Sequence, residues 1–213
     1  MIQKQVQLKN GAGLNSEASS RTSQCGVSLK KTEESMKRKV ILYLGVSLDG
    51  YLADVDGGVD WLEVYHPGGA EDDGYRAFFE GVDTILMGMK TYLQIVTELS
   101  PNNWPYRKKK SVVFTHRKMR STEFVEFVSG DAADFVSQLR KQQGKDIWVC
   151  GGAELVSQLI QADAIDVYDI TILPVLLGSG IPLFRQGNPL TELRLEQLKA
   201  CGSSIRAIYT RRR

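Results

Sequence analysis

The chain has 213 residues, 42% of them hydrophobic and 24% charged, enough apolar material for one ordinary globular domain without a second core. Its 27 Lys and Arg against 25 Asp and Glu leave a formal charge of +2, too balanced for an electrostatic nucleic-acid binder or a membrane-surface protein. No apolar stretch approaches the roughly 18–20 residues of a membrane-spanning helix, and the N-terminus lacks a secretory apolar core, so a cytoplasmic location is expected. Residues 1–36 contain "NGAGLNSEASSRTSQCGVS", small and polar without a helical or strand period, and are expected to be a flexible extension to a domain spanning 37–213. "KVILYLGV" then reads as a strand, followed by a turn-rich loop and a short amphipathic helix in "EDDGYRAFFEGV". "DTILMGM" is a second strand, "KTYLQIVTEL" a helix, and "SVVFTH" and "EFVEFVSG" two more strands. The helix "DAADFVSQLRKQ", the strand "KDIWVCGG" and the helix "AELVSQLIQAD" follow. A long strand is expected over "AIDVYDITILPVLL", and "RLEQLKACGSSIRAIYTRR" reads as a closing hairpin. Strands separated by helices predict an α/β sheet with right-handed crossovers and an antiparallel hairpin at one edge. The three cysteines, Cys25, Cys150 and Cys201, stand at neither disulfide nor metal-ligand spacing, and no metal is expected.

Two junctions carry the chemistry. In "WVCGGAEL" an apolar strand runs into Gly151 and Gly152 and then a helix, which presents bare backbone N–H groups at the strand's carboxyl end. Paired glycines there serve either close packing or an anion such as a pyrophosphate. Neither a Walker motif nor the GxGxxG dinucleotide fingerprint is present. In "ILMGMKTYLQ", Gly88 follows a strand while Lys90 and Thr91 open a helix, read as a plain cap or as a second anion site. In an open α/β sheet both junctions lie on one carboxyl edge, where ligands collect, and together they outline a two-part dinucleotide cradle.

The segments "SLDGYLA", "DTILMGMKTY", "VVFTH", "WVCGGAEL" and "LPVLLGSGIPLF" occur in the order seen in the dihydrofolate-reductase-like superfamily. Over residues 38–211 the chain resembles its bacterial branch akin to the riboflavin-pathway reductase domain, which implies a central, mainly parallel eight-stranded sheet flanked by helices. The resemblance further implies NADPH bound across the carboxyl edge, a small-molecule substrate, and hydride transfer to a small heterocycle. By the same resemblance Ser47 to Trp61 form the active-site loop, with Leu52 and Ala53 against the nicotinamide. Asp49 holds the loop or touches the ligand, Ser47 and Trp61 border the substrate, and Asp49-Gly50 otherwise reads as a tight turn. Gly88, Met89, Lys90 and Thr91 face the phosphates, Thr115, His116 and Arg117 the adenosine 2′-phosphate, and Gly151, Gly152, Ala153, Glu154 and Leu155 the pyrophosphate. Asp72 or Asp73 falls near the carboxylate that holds the pterin in dihydrofolate reductases, with Tyr75 and Phe79 lining that pocket or belonging to the core.

The chain departs from the pattern in two places. Many relatives read Gly-Arg-Lys-Thr at the second junction, whereas Met89 here has neither charge nor donor, and Arg117 is the candidate replacement. The Asp-Asp-Pro-x-Leu-x-x-Arg segment that holds a ribose phosphate in riboflavin-pathway reductases is replaced by "TELSPNNWPYRKKK". A stand-alone reductase is therefore expected, with a riboflavin-pathway or dihydrofolate reductase, or a non-catalytic NADP-binding sensor, as the alternatives. The apolar run "ITILPVLLGSGIPLF" exceeds what one buried strand needs and points to a homodimer.

Overall fold

The protein is described here from a computed structural model that covers residues 37–65 and 73–212; the extension expected at residues 1–36, with Cys25, and Asp72 lie outside the described residues. Its strands and helices in chain order are β1 (Val40–Ser47), β2 (Tyr51–Ala53), α1 (Trp61–Tyr65), α2 (Asp73–Gly81), β3 (Val82–Gly88) and α3 (Met89–Gln94). A π-helical turn, Ile95–Leu99, extends α3 and precedes β4 (Lys110–Phe114), β5 (Val125–Val128), α4 (Ala132–Leu139), β6 (Asp146–Gly151) and α5 (Ala153–Gln161). The chain closes with β7 (Val167–Leu173), β8 (Ile181–Pro182), β9 (Leu193–Cys201) and β10 (Ser204–Arg211).

Among the described residues eight strands form one sheet in the order β5-β4-β3-β6-β1-β7-β10-β9. The first six of these run parallel, while β10 pairs antiparallel with β7 and with β9. This is the eight-stranded, mainly parallel sheet with a closing hairpin that the resemblance implies. One element differs: the long strand expected over "AIDVYDITILPVLL" stops at Leu173, because Pro174 has no N–H to continue the ladder.

A strand between two parallel neighbours is covered on both faces, which explains why β1 reads as a continuous apolar run rather than an alternation. Its even positions, Val40, Leu42, Leu44 and Val46, enter one core with Val136 of α4 and Leu155, Val156, Leu159 and Ile160 of α5. Tyr43 faces the opposite side and joins Ile85, Met87, Tyr106, Trp148 and Cys150 beneath the aromatic residues of α2 and α3. Each fully buried aliphatic side chain here contributes about 1.5–3 kcal/mol, enough in sum to order the backbone around it. Helix α4 begins where the Asp131 carboxylate accepts from the N–H groups of Ala133 and Asp134 at 2.7 and 2.9 Å. Six parallel strands place all their carboxyl ends on one edge, and the residues singled out at the two junctions meet there.

Candidate active site

The stretch after β1 is organised by two aspartates. Ser47, buried at the end of the strand, donates through Oγ to Asp49 Oδ1 at 2.6 Å and accepts from the Tyr51 N–H at 2.9 Å. The Asp49 carboxylate also accepts from the N–H groups of Leu177 (3.2 Å) and Gly178 (2.7 Å), so it fastens the end of β1 to the loop after β7. The Ser47 hydroxyl above all holds the Asp49 carboxyl below its usual range; desolvation opposes it, and the Gly178 and Leu177 N–H groups add to the lowering. Further along, Asp54 Oδ1 accepts from the N–H of Asp56 and of Gly58 at 2.9 and 2.7 Å, folding the Asp-Gly-Gly sequence back on itself. Between these turns β2 pairs with β8, a small sheet for which the sequence has no periodic signal. A Cβ at Gly180 would stand 2.2 Å from the Ala53 carbonyl oxygen, so the return strand requires glycine there.

Leu52 is half-buried and packs toward the α5 side of the sheet, whereas Ala53 joins Val59, Leu62, Leu173 and Trp61 in a small cluster. This cluster lies over Gly45, where a Cβ would meet Leu173 Cδ1 at 3.1 Å and Leu62 Cδ2 at 3.4 Å. Trp61 opens α1, and its Nε1 is buried without a hydrogen-bond partner among the described residues.

The two glycine junctions are in direct apposition. Met87 is level with Gly151 across β3 and β6, and a Cβ on Gly88 would lie 3.8 Å from the backbone N of Gly152. A Cβ on Gly152 would stand 3.3 Å from Thr91 Oγ1, and one on Gly151 3.9 Å from it. The Gly151–Gly152 peptide bond is cis. Gly88 caps α3 and Gly152 caps α5, neither with a side-chain hydrogen bond, so the first N–H groups of both helices are left for another acceptor. A dinucleotide phosphate fits this arrangement: a bare-backbone cradle that any side chain would fill, and uncapped helix starts.

Around the cradle, Lys90 is exposed, Thr91 is half-buried, and Met89 packs partly onto the aromatic core rather than standing free. Thr115 is buried at the end of β4, next to the β3 terminus, and its Oγ1 accepts from the Arg117 N–H at 3.1 Å. His116 and Arg117 are exposed at the start of a loop that also carries Lys118 and Arg120. Ala153 and Leu155 are buried, and Glu154 is exposed in an ion pair with Arg185. Sequence reasoning missed Arg185 because it lies 31 positions from Glu154 and follows no motif.

One of the two candidate acids, Asp73, falls at the start of α2. Asp73 is the first residue of the helix, and Asp72 lies outside the described residues. Tyr75 and Phe79 stack on each other with ring centroids 5.6 Å apart, Tyr75 lies 6.0 Å from Tyr43, and Phe79 packs edge-on to Trp148 at 6.4 Å. Burial raises the Tyr75 phenol above its usual value, with smaller contributions from Cys150 and Tyr43, so it is a neutral donor at physiological pH. Cys150, buried at the end of β6, is pushed up to about 12 mainly by desolvation, which keeps it a thiol. Lys109, from the lysine run, donates to the Val82 carbonyl at 2.6 Å and covers the Phe79 ring at 4.7 Å.

Comparison with known proteins gives the family and the fold. The sequence profile of the RibD C-terminal domain matches residues 38–207. The chain is 42% identical over 177 residues to the uncharacterized protein YwjB of Bacillus subtilis (strain 168), covering 83% of this chain and 99% of that protein. It superimposes with a TM-score of 0.74 and 28% identity on a Shewanella sp. PV-4 protein assigned to riboflavin biosynthesis, covering 82% of this chain and 99% of the other. A dihydrofolate reductase from Enterococcus faecalis, complexed with NADP(H), shares the fold at a TM-score of 0.60 and 14% identity, over 81% of this chain and 96% of the enzyme. The chain therefore has the dihydrofolate-reductase-like fold and belongs to the RibD C-terminal domain family.

Proposed function

We propose that this protein is an NADPH-dependent reductase that transfers hydride to a small heterocyclic substrate of the pterin or pyrimidine kind. The observation that carries this reading is the apposition of Gly88, Thr91, Gly151 and Gly152 at two uncapped helix starts. The reductase neighbours, one of them complexed with NADP(H), support it. When bound, the dinucleotide supplies a hydride from the dihydronicotinamide ring to a carbon–nitrogen double bond or a carbonyl.

The chain's own work is to hold, align and dry the site. In this reading the backbone of Gly88 and Gly151 to Leu155, with Lys90 and Thr91, holds the phosphates. Thr115, His116 and Arg117 face the 2′-phosphate, and the basic loop supplies charge that Met89 does not. Leu52 and Ala53 form the apolar surface for the nicotinamide, while Asp49 positions the loop rather than moving a proton, since its carboxylate is already engaged by three donors. Ser47, Trp61, Tyr75 and Phe79 border the substrate, the unpartnered Trp61 Nε1 being the available donor. Asp72 or Asp73 would hold the heterocycle.

Residues 37–213 are read as the reductase domain and 1–36 as its extension, in a cytoplasmic protein. Among the described residues no helix is long and apolar enough to cross a membrane. A homodimer is proposed through the segment that contains the exposed Leu176; light scattering that gives the mass of one chain at micromolar concentration would refute it. The catalytic reading is tested by following NADPH oxidation against a panel of dihydropterins, pterins and aminopyrimidines. Turnover of at least one heterocycle is expected, and tight cofactor binding without turnover of any would favour the sensor alternative. Complementation of riboflavin and folate auxotrophs then separates the pathway enzymes from a stand-alone reductase.

A further inference from the structure

We propose that Arg185 belongs to the cofactor cradle, as the cation that neutralises Glu154 and so lets the start of α5 accept a pyrophosphate. The proposal rests on the nicotinamide-dinucleotide reading above. Glu154 is the second residue of α5 and lies in its first turn. An ionised carboxylate has acceptors only, takes up the positive end of the helix, and repels a dianion placed beside it. The charged side chain in this part of the cradle thus has the wrong sign for the ligand.

Arg185 supplies the missing charge. Its Nη1 pairs with Glu154 Oε2, and no other hydrogen bond of Arg185 is found among the described residues. Both side chains are solvent-accessible, at 47% and 72%, so the guanidinium retains donors for an incoming phosphate oxygen. The segment that delivers it is fastened on both sides. Before it, the N–H of buried Leu183 donates to the Gly50 carbonyl at 2.9 Å, on the active-site loop. After it, Ser157 Oγ, one turn along α5 from Ala153, donates to Asn188 Oδ1 at 2.8 Å. Arg185 therefore stands between the loop that faces the nicotinamide in this reading and the helix that faces the pyrophosphate.

The pyrophosphate is common to NADPH and NADH, which separates this role from that of a residue on the 2′-phosphate. Dissociation constants for both cofactors are measured for wild type, Arg185→Ala, Glu154→Gln and the double variant, with thermal melting as the folding control. Arg185→Ala is expected to weaken NADPH and NADH by a similar factor, roughly tenfold. Adding Glu154→Gln removes the uncompensated charge and is expected to restore most of the loss, a rescue that a purely structural role for Arg185 would not produce. Unchanged affinity in Arg185→Ala, a loss confined to NADPH, or no rescue in the double variant would overturn the proposal. Wild type that binds neither cofactor would overturn the dinucleotide reading itself, and the role of Arg185 with it.

Discussion

The N–H of Gly178 donates to Oδ2 of Asp49 at 2.7 Å, joining residues 129 positions apart. With the neighbouring contacts from Ser47 and Leu177, it makes a carboxylate the fastener between the ends of two adjacent parallel strands. Because these donors lower the folded pKa of Asp49, the folded state holds fewer protons on this group than the unfolded chain does. Its contribution to stability is complete above about pH 4, the ordinary aspartate range, and is lost as pH falls through the lowered folded value. The Gly178 amide resonance is therefore expected to titrate with a midpoint below about 3.9 and to stop titrating in Asp49→Asn. A midpoint at or above the ordinary value would show that the carboxylate is not held in this way.

Asp169 and Arg206 form a buried pair, with Nε and Nη2 on the two carboxylate oxygens at 2.7 and 2.6 Å. Their side chains are 5% and 11% exposed, and the guanidinium lies 5.2 Å over the Tyr43 ring. Removing one partner leaves the other charge buried, so Asp169→Asn is expected to cost about 3–5 kcal/mol, or roughly 6–20 °C in Tm for a domain of this size. Replacing both by apolar residues of similar volume is expected to recover most of that loss. Thermal unfolding of the single and double variants checks both statements, and a single variant as stable as wild type would contradict them.

Met89 packs partly on the aromatic core at the start of α3, immediately beside the end of β4. An arginine there keeps its alkyl stem on that surface while its head reaches solvent and the proposed 2′-phosphate position. Met89→Arg is expected to tighten NADPH over NADH by about 1.5–3 kcal/mol, roughly tenfold to a hundredfold. Equal gains for the two cofactors, or none, in a titration would show that the side chain points elsewhere.

The parts of the fold that were legible in the sequence are those where a local pattern and the tertiary environment agree. The apolar β1 run, the amphipathic α4 and α5, and the two glycine junctions all have periods or breaks that survive packing. Chain order alone places the two glycine junctions on one carboxyl edge; the structure adds that they touch, a Cβ on Gly88 lying 3.8 Å from the backbone N of Gly152. The strand ends at Leu173, short of its apolar run: "ITILPVLL" stays apolar past Pro174, and apolarity does not report the lost N–H. Strands β2 and β8, three and two residues long, exist only through each other and have no period to detect. Partnerships across long separations, Asp49 with Gly178 and Glu154 with Arg185, leave no mark in spacing. For Tyr75 and Phe79, pocket and core read alike in the sequence, and in the structure both are half-buried against the aromatic core.

Gly152 has φ −89°, a conformation open to any residue, so what opposes a side chain there is the 3.3 Å approach to Thr91 and the space the cofactor's phosphates would occupy. Gly152→Val is expected to cost about 1–3 kcal/mol in overpacking and to leave a folded protein. The central claim, that this edge of the sheet binds a nicotinamide dinucleotide through its pyrophosphate, is tested most directly by calorimetric titration of wild type and Gly152→Val with NADPH. The account predicts saturable binding of one NADPH per chain to wild type and none to the folded variant; no binding to wild type, or equal affinity in both proteins, would contradict it.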